Sequence, residues 1–318
     1  METQTLEKPI RKKYSTINED IRKNWLEEAR LIRLPYNAIK PDIRLHYNPH
    51  DKKGFTYGTI FNPWRENRLT VELDSSLPYD CPLCNILEIN KNKRKIIPNN
   101  LENFTITINE FPVNESMSLV IHNSKGTNHI PMYSTSNLEG LSEELEKLLN
   151  FSNKYGFKLF HNSNGLGASI PRHEHWHFTN YGEIYDRIGR LYGFDEAEKV
   201  PTKKDKSVLI MPTFPFSHAI FQKEDVDKIQ NYLKNVHNKL GNKFEDGNVP
   251  HTISQGIDGI LITIGKNLNG ESIGGGDIAG HIPISDLNEF ENMTYEKCDK
   301  KLRGRLFLKE EVNLEALL

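Results

Sequence analysis

Helical periodicity marks three segments of the chain. Near the N-terminus, apolar residues recur every three to four positions, which predicts an amphipathic helix with one apolar face: Ile21, Trp25, Ala29 and Ile32. A second helix is predicted after a cap at Ser136, because five leucines follow with the same period: Leu138, Leu141, Leu145, Leu148 and Leu149. The stretch 226–240 predicts a third amphipathic helix.

Alternating apolar and polar residues predict strands on both sides of the second helix. Residues 103–108 alternate, a turn follows at 112–115, and residues 117–121 predict a second strand antiparallel to the first. Residues 157–160 predict a return strand, which is followed by a turn at 162–167 and an extended segment with three histidines, 173–177. The order strand, strand, helix, strand, loop, strand predicts an antiparallel sheet with a packed helix, and therefore an α+β fold.

The remaining segments have weaker patterns. Residues 43–73 contain short alternating pieces that predict strands, and further strands are predicted at 208–211, 219–221 and 260–264. Residues 270–280 are rich in glycine, but they lack the lysine and the spacing of a P-loop and do not match a dinucleotide-binding fingerprint. His218 and His281 could line a pocket, although a structural role is the simpler interpretation of each.

Composition and charge exclude several classes of protein. With 318 residues, 36% hydrophobic and 26% charged, the chain can bury a sizeable core and is too apolar to be mainly disordered. A formal net charge of -2 provides no global positive field for nucleic acid or an anionic membrane. The polar N-terminus does not resemble a signal peptide, and three cysteines do not suit a disulfide framework. We therefore expect a cytoplasmic protein without nucleic-acid or membrane partners.

The three closely spaced histidines are the strongest chemical signal. Alternation places His173, His175 and His177 on one face of an extended strand, with Glu174 and Trp176 on the other face. Such imidazoles can bind a metal, or one can attack an electrophile while its neighbours orient it. A neutral imidazole suits a phosphoryl electrophile, because its nitrogen attacks phosphorus and later leaves readily. The alternative is a histidine-rich surface strand that has no catalytic or metal-binding role.

Two cysteines have the spacing of half a zinc site. Cys81-Pro-Leu-Cys84 would need two further ligands to complete a tetrahedral zinc centre. Redox motifs share this spacing, but they lie at a helix N-terminus in a βαβ unit. The turn at 78–80 instead predicts that both cysteines lie on a loop, so zinc and an unliganded cysteine loop are the two interpretations. Cys298 stands alone, and we predict no role for it.

The segment that leads into the histidines resembles a known family. Residues 162–177, NSNGLGASIPRHEHWH, resemble the histidine-triad superfamily, in particular the branch of galactose-1-phosphate uridylyltransferase, GDP-hexose phosphorylase and diadenosine tetraphosphate phosphorylase. The resemblance is specific over residues 103–178. It implies a histidine-triad-like catalytic half over 1–185 and a related, degenerate second half over 186–318 that helps to bind the substrate.

The resemblance also implies roles for individual residues. It makes the middle histidine, His175, the nucleophile. Ser169 would hydrogen-bond a phosphate. The family's upstream asparagine, a substrate-binding residue, corresponds best to Asn162, with Asn164 as the alternative. Transferases of the family usually have glutamine where this chain has His177, whereas the hydrolases and some phosphorylases have histidine. The resemblance therefore places His177 in the catalytic site and leaves the choice between transfer and hydrolysis open.

A zinc ligand set follows from the same resemblance. The uridylyltransferase branch has a similar Cys-Pro-Leu-Cys, completed by a histidine after the second strand and by the first histidine of the triad. Those positions correspond here to Cys81, Cys84, His129 and His173, and His122 is the rival for the third ligand. Such a Zn²⁺ ion would brace the strand that carries the nucleophile and would not contact the phosphate.

The expected activity is nucleotidyl transfer or phosphorolysis through a covalent nucleotidyl-histidine on His175. The resemblance implies a nucleoside diphosphate sugar or a dinucleoside polyphosphate as donor, and phosphate or a sugar phosphate as acceptor. Arg172 is a candidate for binding phosphate oxygens, as is Lys125, although charged loop residues are more often only solvated. One alternative is a hydrolase of the same superfamily, which His177 supports; another is a zinc-braced nucleotide-binding protein that is not an enzyme.

Overall fold

A computed structural model of the chain describes residues 18–50, 55–67, 81–90, 101, 103–123, 138–163, 166, 173–180, 197–244, 247–256, 259–266, 280–312 and 316–318. Its helices are α1 (Glu19–Leu31), α2 (Tyr36–Ile39), α3 (Pro82–Asn90), α4 (Leu141–Tyr155), α5 (Val226–Leu240), α6 (Leu287–Glu291) and α7 (Tyr295–Arg303). None of the helices in these residues has the length and apolar character needed to cross a lipid bilayer.

The strands within the described residues form two sheets. They are β1 (Asp42–His46), β2 (Tyr57–Phe61), β3 (Phe104–Ile108), β4 (Ser118–His122), β5 (Lys158–Asn162), β6 (His175–Thr179), β7 (Val200–Pro201), β8 (Leu209–Ile210), β9 (His218–Phe221), β10 (His251–Gln255), β11 (Ile260–Ile264) and β12 (His281–Ile284). The large sheet has the order β3-β4-β6-β5-β10-β11-β9-β8-β7, and every pair in it is antiparallel. The small sheet has the order β1-β2-β12. The predicted α+β fold with a large antiparallel sheet is confirmed.

The large sheet contains the same arrangement twice. In the first half, the hairpin β3-β4 is followed by α4 and then by β5 and β6, with β6 inserted beside β4. In the second half, β8 and β9 are followed by α5 and then by β10 and β11, with β11 inserted beside β9. The halves meet where β5 pairs with β10. The predicted boundary between residues 185 and 186 lies outside the described residues and stays a prediction.

The helices α1, α4 and α5 cover one face of the large sheet, called here the helix face. Its core contains Trp25, Leu145 and Leu233 from the helices together with Trp176 and Phe178 from β6. Alternation along β6 therefore turns the neighbouring positions to the opposite face, called here the triad face.

The small sheet packs against the triad face. Ile60 of β2 shares a buried cluster with Phe160 of β5, and Tyr57 of β2 shares another with Ile220 and Leu261 of the second half. The strand β2 thus packs against both halves of the large sheet. The triad face of the large sheet is therefore covered in part by the small sheet.

Periodicity located several elements closely, and the structure corrects others. α1, the hairpin β3-β4, α5 and β11 lie where they were predicted. The helix predicted from Ser136 becomes α-helical only at Leu141, after a 3₁₀ turn over Leu138–Gly140, and Gly140 at its N-cap provides no side-chain hydrogen bond. Ser136 itself lies outside the described residues. β5 extends to Asn162, where a turn was predicted, because Asn162 pairs with Thr252 of β10.

Candidate active site

The central strand β6 carries two of the three predicted histidines. β4 flanks it on one side, with Ile121 opposite His175, and β5 flanks it on the other, with Phe160 opposite His177. The rings of Phe160 and His177 stack, with 4.5 Å between their centroids and 12° between their planes. Both histidines are buried, and an interior strand fixes their direction, so the imidazoles are held in place before any ligand binds.

Hydrogen bonding selects the tautomer of His175. Its Nδ1 lies 2.9 Å from the backbone carbonyl oxygen of His173. A carbonyl oxygen only accepts, so Nδ1 carries the proton and donates it. In the neutral ring the unprotonated nitrogen is then Nε2, which has a lone pair for attack on an electrophile. This supports His175 as a nucleophile on geometric grounds.

Cys81, Cys84 and His173 form a group whose ligand atoms lie within 4.8 Å of one another. His173 Nδ1 lies 3.3 Å from the Sγ of Cys81 and 3.6 Å from the Sγ of Cys84. Zn–S bonds of about 2.3 Å and Zn–N bonds of about 2.0 Å in a tetrahedral centre place sulfur and nitrogen about 3.5 Å apart. These three residues therefore fit a zinc ion in both ligand type and spacing.

The surroundings of these ligands also suit a metal centre. The Nε2–H group of His173 donates to the carbonyl oxygen of His122 at 2.7 Å, which leaves Nδ1 as the nitrogen that faces the sulfurs. Metal-bound histidines generally donate a hydrogen bond from the N–H group of their second ring nitrogen in this way. Burial raises the pKa of the Cys81 thiol to about 11. Coordination would have to displace this proton, so metal uptake would release protons.

The two cysteines lie at a helix N-terminus, which corrects the predicted loop. α3 begins at Pro82, directly after Cys81, and the amide of Asn85 donates to the Cys81 carbonyl oxygen at 3.1 Å. Cys84 lies in the first turn. Proline suits the first position of a helix because its missing N–H has no partner there. Since α3 connects β2 of the small sheet to β3 of the large sheet, it is not part of the βαβ unit that redox motifs use.

The imidazole of His122 is not a member of the Cys81, Cys84 and His173 group. Its ring packs edge-on against Phe104, and its Nε2 lies 3.8 Å from Glu144 of α4. Burial lowers the pKa of His122, and the Glu144 carboxylate acts in the opposite direction. His122 contributes a backbone carbonyl to His173 in this structure. The other predicted ligand, His129, lies outside the described residues.

His173 departs from the expected strand position. It precedes β6, and its imidazole points to the cysteines, whereas its carbonyl oxygen holds the Nδ1–H group of His175. One residue therefore connects the candidate metal group to the candidate nucleophile. Trp176 lies on the face opposite His175 and His177, as predicted, and this is the helix face; its Nε1–H donates to Glu174 Oε1 at 3.0 Å. Trp176 is fully buried in the core.

The other predicted site residues have different outcomes. Asn162 ends β5 on the triad face and is buried. Ser169 and Arg172 lie outside the described residues, as do Asn164 and Lys125, and their roles stay predictions. His218 is structural, because its Nδ1–H donates to the Phe216 carbonyl and its Nε2 accepts from the Met211 amide. Burial lowers the pKa of His218, and that of His281, to about 3.

Sequence reasoning missed the strand β10, which lies next to Asn162. All five of its residues (HTISQ) are buried, although four of them are polar. No apolar period marks such a segment, and only its pairing with β5 and β11 reveals it. Its side chains on the triad face, Thr252 and Ser254, were therefore absent from the predicted site.

Comparison with known proteins shows a fold likeness at low sequence identity. No protein-family model and no curated protein sequence matches the chain. Crystal structures of the yeast Ap4A phosphorylase Apa2 are similar over nearly the whole length of both chains. The complex with AMP has 16% identity and a TM-score of 0.59, and it covers 92% of this chain and 98% of that one. The complex with Ap4A has 15% identity and a TM-score of 0.60, and it covers 91% of this chain and 97% of that one. The protein alone has 14% identity and a TM-score of 0.58, with coverages of 92% and 99%. At this identity the likeness shows the fold, and it agrees with the predicted histidine-triad resemblance.

Proposed function

We propose that this protein is a nucleotidyltransferase or phosphorylase that forms a covalent nucleotidyl-histidine on His175. The donor would be a nucleoside diphosphate sugar or a dinucleoside polyphosphate, and the acceptor phosphate or a sugar phosphate. The observation that carries the proposal is the hydrogen bond from His175 Nδ1 to the His173 carbonyl, which leaves the Nε2 lone pair for the proposed attack. The fold supports it, because the yeast phosphorylase with this fold has been crystallised with AMP and with Ap4A.

The proposed reaction has two displacements at one phosphorus atom. In the first, the lone pair on His175 Nε2 forms a bond to the α-phosphorus, and the bond from phosphorus to the bridging oxygen breaks, so the leaving phosphate takes that electron pair. The His173 carbonyl stabilises the resulting positive charge on the ring through Nδ1–H. In the second, an oxygen of the acceptor attacks phosphorus, and the N–P electron pair returns to Nε2. His177 is the candidate to donate a proton to the leaving oxygen.

Zinc would be held by Cys81, Cys84 and His173, with His129 as the proposed fourth ligand. A bound Zn²⁺ supplies structural bracing by fixing several ligands at once. In this chain that bracing would act on the backbone at His173, whose carbonyl orients the nucleophile. The sulfurs and His173 Nδ1 are already within contact distance, which supports the site.

The covalent step is tested by labelling. A dinucleoside polyphosphate with a radioactive α-phosphate should leave its label on the protein through a bond that is stable in base and labile in acid. His175→Ala should abolish both labelling and turnover without changing zinc content, because His175 is not a proposed ligand. His50→Ala, which removes an exposed histidine, is the matched control and should keep both. Near-normal turnover of His175→Ala would show that the covalent mechanism is wrong.

The acceptor is tested by omitting phosphate. For a phosphorylase or transferase, the labelled intermediate should accumulate in buffer alone and be discharged when phosphate or a sugar phosphate is added. Equal turnover with and without these acceptors would identify water as the acceptor and favour the hydrolase, in keeping with His177 at the third triad position.

A further inference from the structure

A row of polar side chains crosses the triad face from the first half into the second. The strand register aligns Asn162 of β5 with Thr252 of β10, and Thr252 with Thr263 of β11. Residues directly opposite one another in antiparallel strands point to the same face of the sheet. Phe160 lies two positions before Asn162 and stacks on His177, so the row lies on the face that carries the triad.

The row lies next to the strand that carries the candidate nucleophile. β6, β5 and β10 are consecutive strands, and adjacent strands lie about 4.8 Å apart. The backbone of Thr252 is therefore about 10 Å from that of β6, measured across the sheet. A polyphosphate chain that is attacked by His175 and extends over Asn162 would reach Thr252 next.

The hydroxyl groups of Thr252 and Thr263 have two protons to donate, and the hydrogen bond between them uses one. Thr252 Oγ1 and Thr263 Oγ1 are 2.7 Å apart, and both residues are completely buried. One hydroxyl donates to the other, which uses one of the two protons. In the part of the chain that the structure describes, neither hydroxyl makes another hydrogen bond to protein. A buried donor without an acceptor is costly, so the second proton calls for an acceptor that the protein does not supply.

Comparable side chains on the same face have their protons committed to the protein. His218 uses both ring nitrogens, with Phe216 as acceptor and Met211 as donor. On the other side of β6, the hydroxyl of Thr105 donates to the side chain of Asn123 at 2.6 Å. The threonine pair therefore differs from these side chains in having a donor left for a ligand.

We propose that the Thr252–Thr263 hydroxyl pair binds a phosphate oxygen of the substrate. A phosphate oxygen is a strong acceptor for the remaining proton, and the pairing of Thr252 with Asn162 places it on the same face of the sheet as the candidate nucleophile. The inference rests on the proposed function, and it assigns to the second half of the sheet the binding of one phosphate group of the substrate. The phosphate belongs either to the polyphosphate of the donor or to the acceptor, and the kinetics below separate the two.

The kinetic test replaces both threonines at once. Thr252→Val/Thr263→Val removes both hydroxyls and keeps a similar shape, so little stability should be lost. The value of kcat/KM should fall about 10- to 100-fold, as expected for the loss of a hydrogen bond to a charged group. A rise in KM for the dinucleotide assigns the pair to the donor, and a rise in KM for phosphate assigns it to the acceptor. As a conservative variant, Thr252→Ser keeps a hydroxyl at this position and should therefore keep most of the activity that Thr252→Val loses.

Thr105→Val is the matched control. Thr105 lies on the triad face of β3, which is two strands from β6, as β10 is, but on the other side of β6. Its hydroxyl already donates to the side chain of Asn123. This variant should change kcat/KM less than about two-fold, because no donor to the substrate is removed.

A binding test without turnover keeps this inference separate from the proposed reaction. Inorganic tripolyphosphate should raise the Tm of the wild-type protein, and the double valine variant should lose most of that shift. If the wild type forms no labelled intermediate but the Tm shift still depends on the threonine pair, the proposed reaction is wrong and the phosphate site stands. The inference is overturned if the double variant keeps both kcat/KM and the Tm shift within two-fold, or if tripolyphosphate shifts neither protein.

Discussion

Mild acid should destabilise this fold, because several imidazoles are buried in their neutral form. Burial lowers the pKa of His218, His251 and His281 to about 3 each. An imidazole in the unfolded chain titrates near pH 6.5, so below that pH the unfolded state binds protons that the folded state does not. The free energy of unfolding is therefore not reduced by these histidines above about pH 6.5, and it decreases as the pH falls from there towards their folded-state pKa of about 3.

The size of the effect follows from linkage. Between about pH 7 and pH 5.5, each such histidine removes about 1.3 kcal/mol from the free energy of unfolding, and the three together remove ~4 kcal/mol. Carboxylates contribute little over this range because their ordinary pKa values lie near 4. Since domains are stable by only about 5–15 kcal/mol, the predicted loss is a large fraction of the total.

Urea unfolding between pH 7.5 and 5.5 measures this loss, and NMR of the imidazole C–H groups identifies its source. The buried rings should not titrate in the folded protein over that range. The variant Cys81→Ser/Cys84→Ser should show the same pH slope, which separates the effect from acid release of a metal. His50→Gln, at an exposed position, should also leave the slope unchanged. An unfolding free energy that is constant over this range would refute the reasoning.

Two further predictions concern the candidate metal group and a buried ion pair. Purified protein should contain about one zinc per chain; Cys81→Ser/Cys84→Ser should lose it and have a lower Tm, whereas Cys298→Ser, in a separate buried cluster, should keep it. Metal-free protein of full stability would contradict the site. Arg22→Ala should lower the free energy of unfolding by about 2 kcal/mol, because among the described residues the buried carboxylate of Glu115 would then keep Lys40 alone, at 3.9 Å, as a cationic partner. A urea-measured change below about 0.5 kcal/mol, the size typical of a surface pair, would show that this ion pair is not important.

Sequence patterns located the elements that bury one apolar face. The bounds of α5 and β11 were predicted as the structure has them, because α5 follows the helical period and β11 is an uninterrupted buried run of β-branched residues and leucine. The same reasoning failed for β10, whose polar residues are buried by their partners on β5 and β11. It also missed α7, whose packed face consists of Cys298, Leu302 and the partly buried Tyr295 in an otherwise polar segment.

For the candidate metal group, the sequence indicated the residues better than their geometry. The family resemblance named Cys81, Cys84 and His173 together, and the structure places their ligand atoms close enough to hold a metal ion. The double use of His173, with its ring towards the sulfurs and its carbonyl towards His175, depends on the chain turning just before β6. Periodicity cannot predict such a turn, since it assumes one extended strand throughout.

The pairing of β5 with β10 has a consequence for how the site is assembled. β5 carries Asn162 and supports β6 along one edge, while its other edge is covered by β10, which comes much later in the chain. Until β10 arrives, that edge presents unpaired backbone groups on which another chain could dock. Such long-range pairing is a high-contact-order feature and slows folding. We therefore expect partly synthesised or truncated chains to aggregate through β5, and nucleotide binding to appear only once the C-terminal strands have joined the sheet.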